Sequence, residues 1–197
     1  MEIYNEEFDF EGNGESVKNL KDMYEGQEVW LVGKGESLQN LTKEHFGLGP
    51  VITINQAVVS VEGLGLDNPI YSLQKNGGPK RTNIPGDNLS PDCIHDCEDV
   101  CGNMVMPIDS TLIVHNLESF YCFEDYSPRY VFKLVDFGLI GNTCSFVVAI
   151  KIGELFGCNT FNFISFDDHV FGGKKYAHQI DEVKPHYAGL NVNWITP

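Results

Sequence analysis

Apolar positions along the chain fall into short runs of four or five residues, separated by glycine-rich turns and by segments with helical spacing. Val29-Trp30-Leu31-Val32 is the first strong run, and unlike an alternating strand it is apolar at every position, as fits a strand covered on both faces of a parallel sheet. Gly33-Lys34-Gly35-Glu36-Ser37 follows as a turn. Ser37 is then placed to cap a helix carrying Leu38, Leu41 and Phe46 on one side. Val51-Ile52-Thr53-Ile54 is the next strand, Ala57 to Leu64 a short helix, and Ile70-Tyr71-Ser72-Leu73 a third strand. Strand, helix, strand, helix, strand is the grammar of a doubly wound parallel sheet.

The second half repeats the pattern less regularly. Thr111-Leu112-Ile113-Val114 predicts a strand and Tyr130 to Leu134 another. Asn142-Thr143-Cys144-Ser145 opens a helix, apolar on nearly every side, that Gly157 stops. Thr160 to Phe166 is a further strand, with Asp167-Asp168 at its carboxyl end. Ser16 to Tyr24 predicts a short helix ahead of the first strand. The expectation is an α/β, Rossmann-like parallel sheet with helices on both faces. An N-terminal arm (1–27) precedes a single domain (28–197) interrupted by a long irregular excursion (75–107). That excursion, rich in glycine, proline and cysteine, has the length of a binding loop or lid.

In a parallel sheet of this kind, ligands sit beyond the carboxyl ends of the strands. Gly33, Lys34, Gly35, Ser37, Asn55, Gln56 and Gln74 all fall there. The glycine turn after the first strand has phosphate-cradle grammar, because bare Cα atoms let backbone N–H groups approach an anion. It matches neither the full GxGxxG fingerprint nor the P-loop.

Charge narrows the choice of partner. Thirteen basic against 28 acidic residues give a formal net charge of −15, which disfavours nucleic acid and anionic membranes as partners. Any anion site must therefore be local. The chain contains no apolar run near the roughly 20 residues needed to span a bilayer, so a cytoplasmic protein is expected. Cys93, Cys97 and Cys101 recur every four residues, and with His115 or Cys122 they would make a zinc ligand set. The usual paired CxxC spacing is absent, and three separate thiols are the expectation, with no metal. Asp167-Asp168-His169 would suit magnesium if both carboxylates turn to one ion.

The ordered set of a strand with Gly33-Lys34-Gly35-Glu36-Ser37-Leu38, a strand ending Asn55-Gln56, Gly141-Asn142-Thr143 opening a buried helix, a strand ending Asp167, and Tyr176-Ala177 resembles the small bacterial sialyltransferases. It is also similar to the related superfamily that includes flagellin nonulosonate transferases and an archaeal pterin pyrophosphokinase. The resemblance covers roughly 29–73 and 141–190. It implies a nucleotide phosphate at Gly33, Gly35 and Ser37, and its sugar or base at Asn55 and Gln56. Thr143 and Ser145 would lie near the cytidine part, Asp167 at the last strand's end, and Tyr176 and Tyr187 at the leaving phosphate. Glu36 stands where the family has proline and Leu190 where it has its base histidine, which leaves His178 and His186 as the nearest proton acceptors. The implied activity is transfer of a nonulosonate from a cytidine-nucleotide donor to an unknown acceptor, without a metal. The alternatives are a magnesium-dependent pyrophosphokinase-like enzyme and a non-catalytic relative that keeps the fold.

Overall fold

The computed structural model of the chain describes residues 14–74, 107, 109–115, 129–139, 143–167 and 177–197, the side chains of 177–181 apart. Among the described residues, eight parallel strands form one sheet: β1 (Glu15–Ser16), β2 (Glu28–Val32), β3 (Val51–Ile54), β4 (Ile70–Gln74), β5 (Thr111–Val114), β6 (Arg129–Val131), β7 (Thr160–Ile164) and β8 (Asn191–Ile195). Their spatial order is β1-β6-β5-β4-β3-β2-β7-β8. From β2 the chain winds outward through β3, β4, β5 and β6, then returns to place β7 on the other side of β2. The order therefore reverses between β2 and β7, and a crevice opens at the carboxyl ends of strands at such a reversal.

β2 is apolar at consecutive positions because both of its faces are covered. Val29 and Leu31 join the core beneath α2 (Ser145–Leu155), while Trp30 and Val32 join a second core with Ala57 and Val61 of α1 (Ala57–Glu62). The sheet separates these two cores. α2 lies over β2, β3 and β4, with Val147, Val148, Ala149, Ile150 and Ile152 fully buried. Valine and isoleucine are middling helix formers, so packing holds this helix: each fully buried branched side chain contributes about 1.5–3 kcal/mol. α3 (Ala177–Tyr187) packs against α2 and leads into β8.

Several expected elements take a different form. The helix anticipated from Ser37 is instead two 3-10 turns, Glu36–Asn40 and Lys43–His45. Thr42 separates them in extended backbone, and its N–H donates to His45 Nδ1 at 3.0 Å. Threonine here offers the backbone a local alternative to helix. Leu41 is nevertheless buried, with Leu38 and Phe46 packed around it, so the apolar spacing served packing instead of an α-helix.

The helix expected over 16–24 is likewise one 3-10 turn, Val17–Leu20, capped by the Ser16 hydroxyl. A tight turn follows, in which Asp22 and Gly26 have positive φ. Val17 and Leu20 are buried in the main core and β1 pairs with β6, so this part of the anticipated arm belongs to the sheet layer. The expected strand from 130 to 134 is shorter and shifted, Arg129–Val131, with a 3-10 turn at Leu134–Phe137. Residues 1–13, the excursion from 75 and the 93–101 cysteines lie outside the described residues.

Candidate functional site at the sheet's carboxyl edge

Beyond Val32 the glycine turn stays bonded to β7. Gly33 N–H donates to the Ile164 carbonyl at 2.9 Å and Gly35 N–H to the Ser165 carbonyl at 2.8 Å. Ser165 then bends the chain with φ 58°, an uncommon conformation for a residue other than glycine. That bend brings Phe166 against Gly33 and Asp167 against Gly35. A Cβ on Gly33 would lie 2.9 Å from the Phe166 ring, and one on Gly35 would strike the Asp167 carboxylate. Both glycines are thus required by the close approach of the β7 segment. Neither has positive φ.

Asp167 closes the arrangement. Its Oδ2 accepts from Ser37 N–H at 2.7 Å and its Oδ1 from the Ser37 hydroxyl at 2.7 Å. Short bonds to an ionised carboxylate are among the stronger hydrogen bonds in proteins. The Ser37 hydroxyl, expected as a helix cap, is instead a donor to Asp167. Ser37 is buried, Asp167 is part-exposed, and Glu36 beside them is exposed.

The same β7 segment ties this turn to α2. Phe166 stacks on Phe146 with ring centroids 4.0 Å apart and planes 21° from parallel. Phe146 is the second residue of α2, so Ser145 and Thr143, both buried, are fixed relative to the glycine turn. Behind them His115, immediately after β5 and 5% exposed, approaches the Ser145 hydroxyl with Nε2 at 3.3 Å. His115 considered only as a zinc ligand is the residue that sequence reasoning misplaced. Its position directly after an apolar strand is the signal that assigns it to the carboxyl edge.

On the other side of β2, Asn55 follows β3 with φ 51°. Gln74, fully buried at the end of β4, donates from Nε2 to the Asn55 carbonyl at 3.2 Å and to the Ser72 hydroxyl at 2.7 Å. A carbonyl can only accept, so this contact fixes the amide's orientation. Gln74 Oε1 is left buried without a hydrogen-bond partner among the described residues, as is the Ser165 hydroxyl. Two residues with strained backbone, Asn55 and Ser165, therefore flank β2 just past the strand ends, with unpartnered buried polar atoms beside them. Strain of this kind concentrates at functional sites.

The structure thus brings Gly33, Lys34, Gly35, Ser37, Asn55, Gln56, Gln74, Thr143, Ser145 and Asp167 to one edge of the sheet. His186 and Tyr187 are placed differently. They end α3, which runs back against the strand direction and leads into the start of β8. The Tyr187 ring packs on Phe163 and Trp194, and burial raises its hydroxyl pKa. His178 lies in the first turn of α3, and Tyr176 lies outside the described residues. Cys158, just beyond α2, is half-buried, and burial pushes its thiol up to about 12. Among the described residues no three His, Cys, Asp or Glu side chains gather as a metal site.

Fold and site together define an all-parallel α/β sheet whose carboxyl end carries these polar residues at its topological reversal. Comparison of the chain with protein-family models, with curated proteins and with solved structures gave no match. Among the described residues no helix is long and apolar enough to cross a membrane.

Proposed function

We propose that the crevice binds a nucleotide and that the protein is a glycosyltransferase using a cytidine-nucleotide donor that carries a sialic-acid-like nonulosonate. The observation that carries this reading is the clasp between Ser37 and Asp167 at the β2–β7 reversal. It draws together two of the segments on which the resemblance rests, and the Phe166–Phe146 stack links them to a third at Thr143–Ser145. In this reading the fold supplies position and polar contacts, and His178 takes the acceptor's proton. No metal enters the step.

Titration of the purified chain with CMP, CDP and ATP, with and without magnesium, tests the proposal. Saturable binding of CMP or CDP independent of magnesium is expected. Binding of ATP alone, and only with magnesium, would replace it with the pyrophosphokinase-like alternative, in which Asp167 turns from Ser37 to the metal.

A further inference from the structure

Four donors of the glycine turn are already engaged within the chain. Gly33 N–H and Gly35 N–H bond to the β7 segment, and both Ser37 donors bond to Asp167. A carboxylate thus stands where a phosphate cradle would hold its anion, and the exposed Glu36 adds a second negative charge at the mouth. A phosphate brought here would meet two like charges and find these four donors engaged, with Lys34 as the cation within the turn.

What remains is capacity to accept. A carboxylate has about four lone-pair positions, and the two bonds from Ser37 leave the others to a ligand that reaches the part-exposed Asp167. The neighbouring Ser165 carries a fully buried hydroxyl with no partner among the described residues. Its carbonyl holds the turn in place.

We propose that Asp167, held by Ser37, receives the ribose hydroxyls of the nucleotide, and that the phosphate lies off the glycine turn. This rests on the nucleotide reading above and assigns the turn to the uncharged, hydroxyl-donating part of that ligand. Hydroxyl pairs suit a fixed carboxylate because each supplies a donor to an oxygen that is already oriented.

The test is a calorimetric titration of the full chain with cytidine, 2′,3′-dideoxycytidine and CMP, on the wild type and on Asp167→Asn. Asparagine keeps an acceptor for Ser37 N–H, and a thermal melt of each variant reports the fold. The wild type is expected to prefer cytidine over the dideoxy compound by on the order of 10- to 100-fold, the range for a hydrogen bond to a charged group. Asp167→Asn should weaken cytidine and CMP alike and abolish that preference. Ser37→Ala, which removes one of the two bonds that orient the carboxylate, should reduce that preference without abolishing it and serves as the second variant.

Equal binding of cytidine and dideoxycytidine by the wild type would overturn the assignment while leaving the nucleotide reading intact. Tighter CMP binding by Asp167→Asn with cytidine unchanged would also overturn it, by returning the phosphate to the turn. A preference for adenosine over 2′,3′-dideoxyadenosine, lost in Asp167→Asn, would uphold the assignment and refute the cytidine donor. Absence of binding by every nucleoside and by CMP would refute both.

Discussion

Gly35→Ala is expected to lower stability by about 3 kcal/mol, the upper part of the range for overpacking. In a chain of this size that is a fall of about 6–12 °C in melting temperature. Gly35 has φ −65°, a value alanine adopts freely, so backbone conformation is not the cause. In isolation the substitution would even stabilise slightly, by restricting the unfolded chain. The cost arises because the added Cβ meets the Asp167 carboxylate and stands 2.9 Å from the Asp167 backbone nitrogen. Either Asp167 leaves Ser37 or the β7 segment shifts. The carboxylate's share is checked by repeating the substitution in an Asp167→Ala background, where the cost should fall but not vanish, because the approach to the residue 167 backbone nitrogen remains. An undiminished cost there would mean that Gly35 is needed for some other reason.

Phe163→Ala should cost about 3–5 kcal/mol, measured by urea unfolding, as expected for a large ring removed from a packed core. Phe163 is fully buried in the fourth position of β7. Its ring meets Phe146, Phe161, Phe166, Tyr187 and Trp194, with centroids 4.9, 6.4, 6.1, 5.8 and 4.9 Å away. Phe166 and Phe146 are the stack that fixes the glycine turn to α2. Losing the ring beneath them should weaken nucleotide binding along with the fold. Trp194→Ala, on the edge strand and 37% exposed, should cost less than half as much.

The interior strands were legible because burial on two faces makes them apolar at every position. β2, β3 and β5 run as anticipated, and β4 and β7 differ only at their ends. β8 and α3 gave no such signal. β8 has one neighbour and largely polar exposure; its asparagines instead continue a row of side-chain bonds, Asn193 to Asn162 and Asn162 to Glu28, each 2.8 Å. α3 contains Pro185 near its end and a high share of polar residues, which leave no helical pattern of apolar positions. The 3-10 turns after Ser37 were hidden for the opposite reason, since their apolar spacing also suits an α-helix.

For the site, strand-end logic placed Asn55, Gln74 and Asp167 correctly on one edge. What it could not supply was the partner of the glycine turn. Two glycines within three residues of a strand's end announce a close approach without saying of what, and a ligand and a second chain segment leave the same mark. Here the segment is Ser165 to Asp167, and the contact from Ser37 to Asp167 spans 130 positions. His115 escaped for a similar reason: its partner Ser145 is also distant in sequence, and nearby cysteines offered a competing role.

The most direct measurement of the central claim is a crystal structure of the chain with CMP bound. The nucleotide is predicted to lie over the carboxyl ends of β2 and β7, with a ribose hydroxyl within hydrogen-bond distance of Asp167. CMP bound anywhere away from that edge would contradict the account.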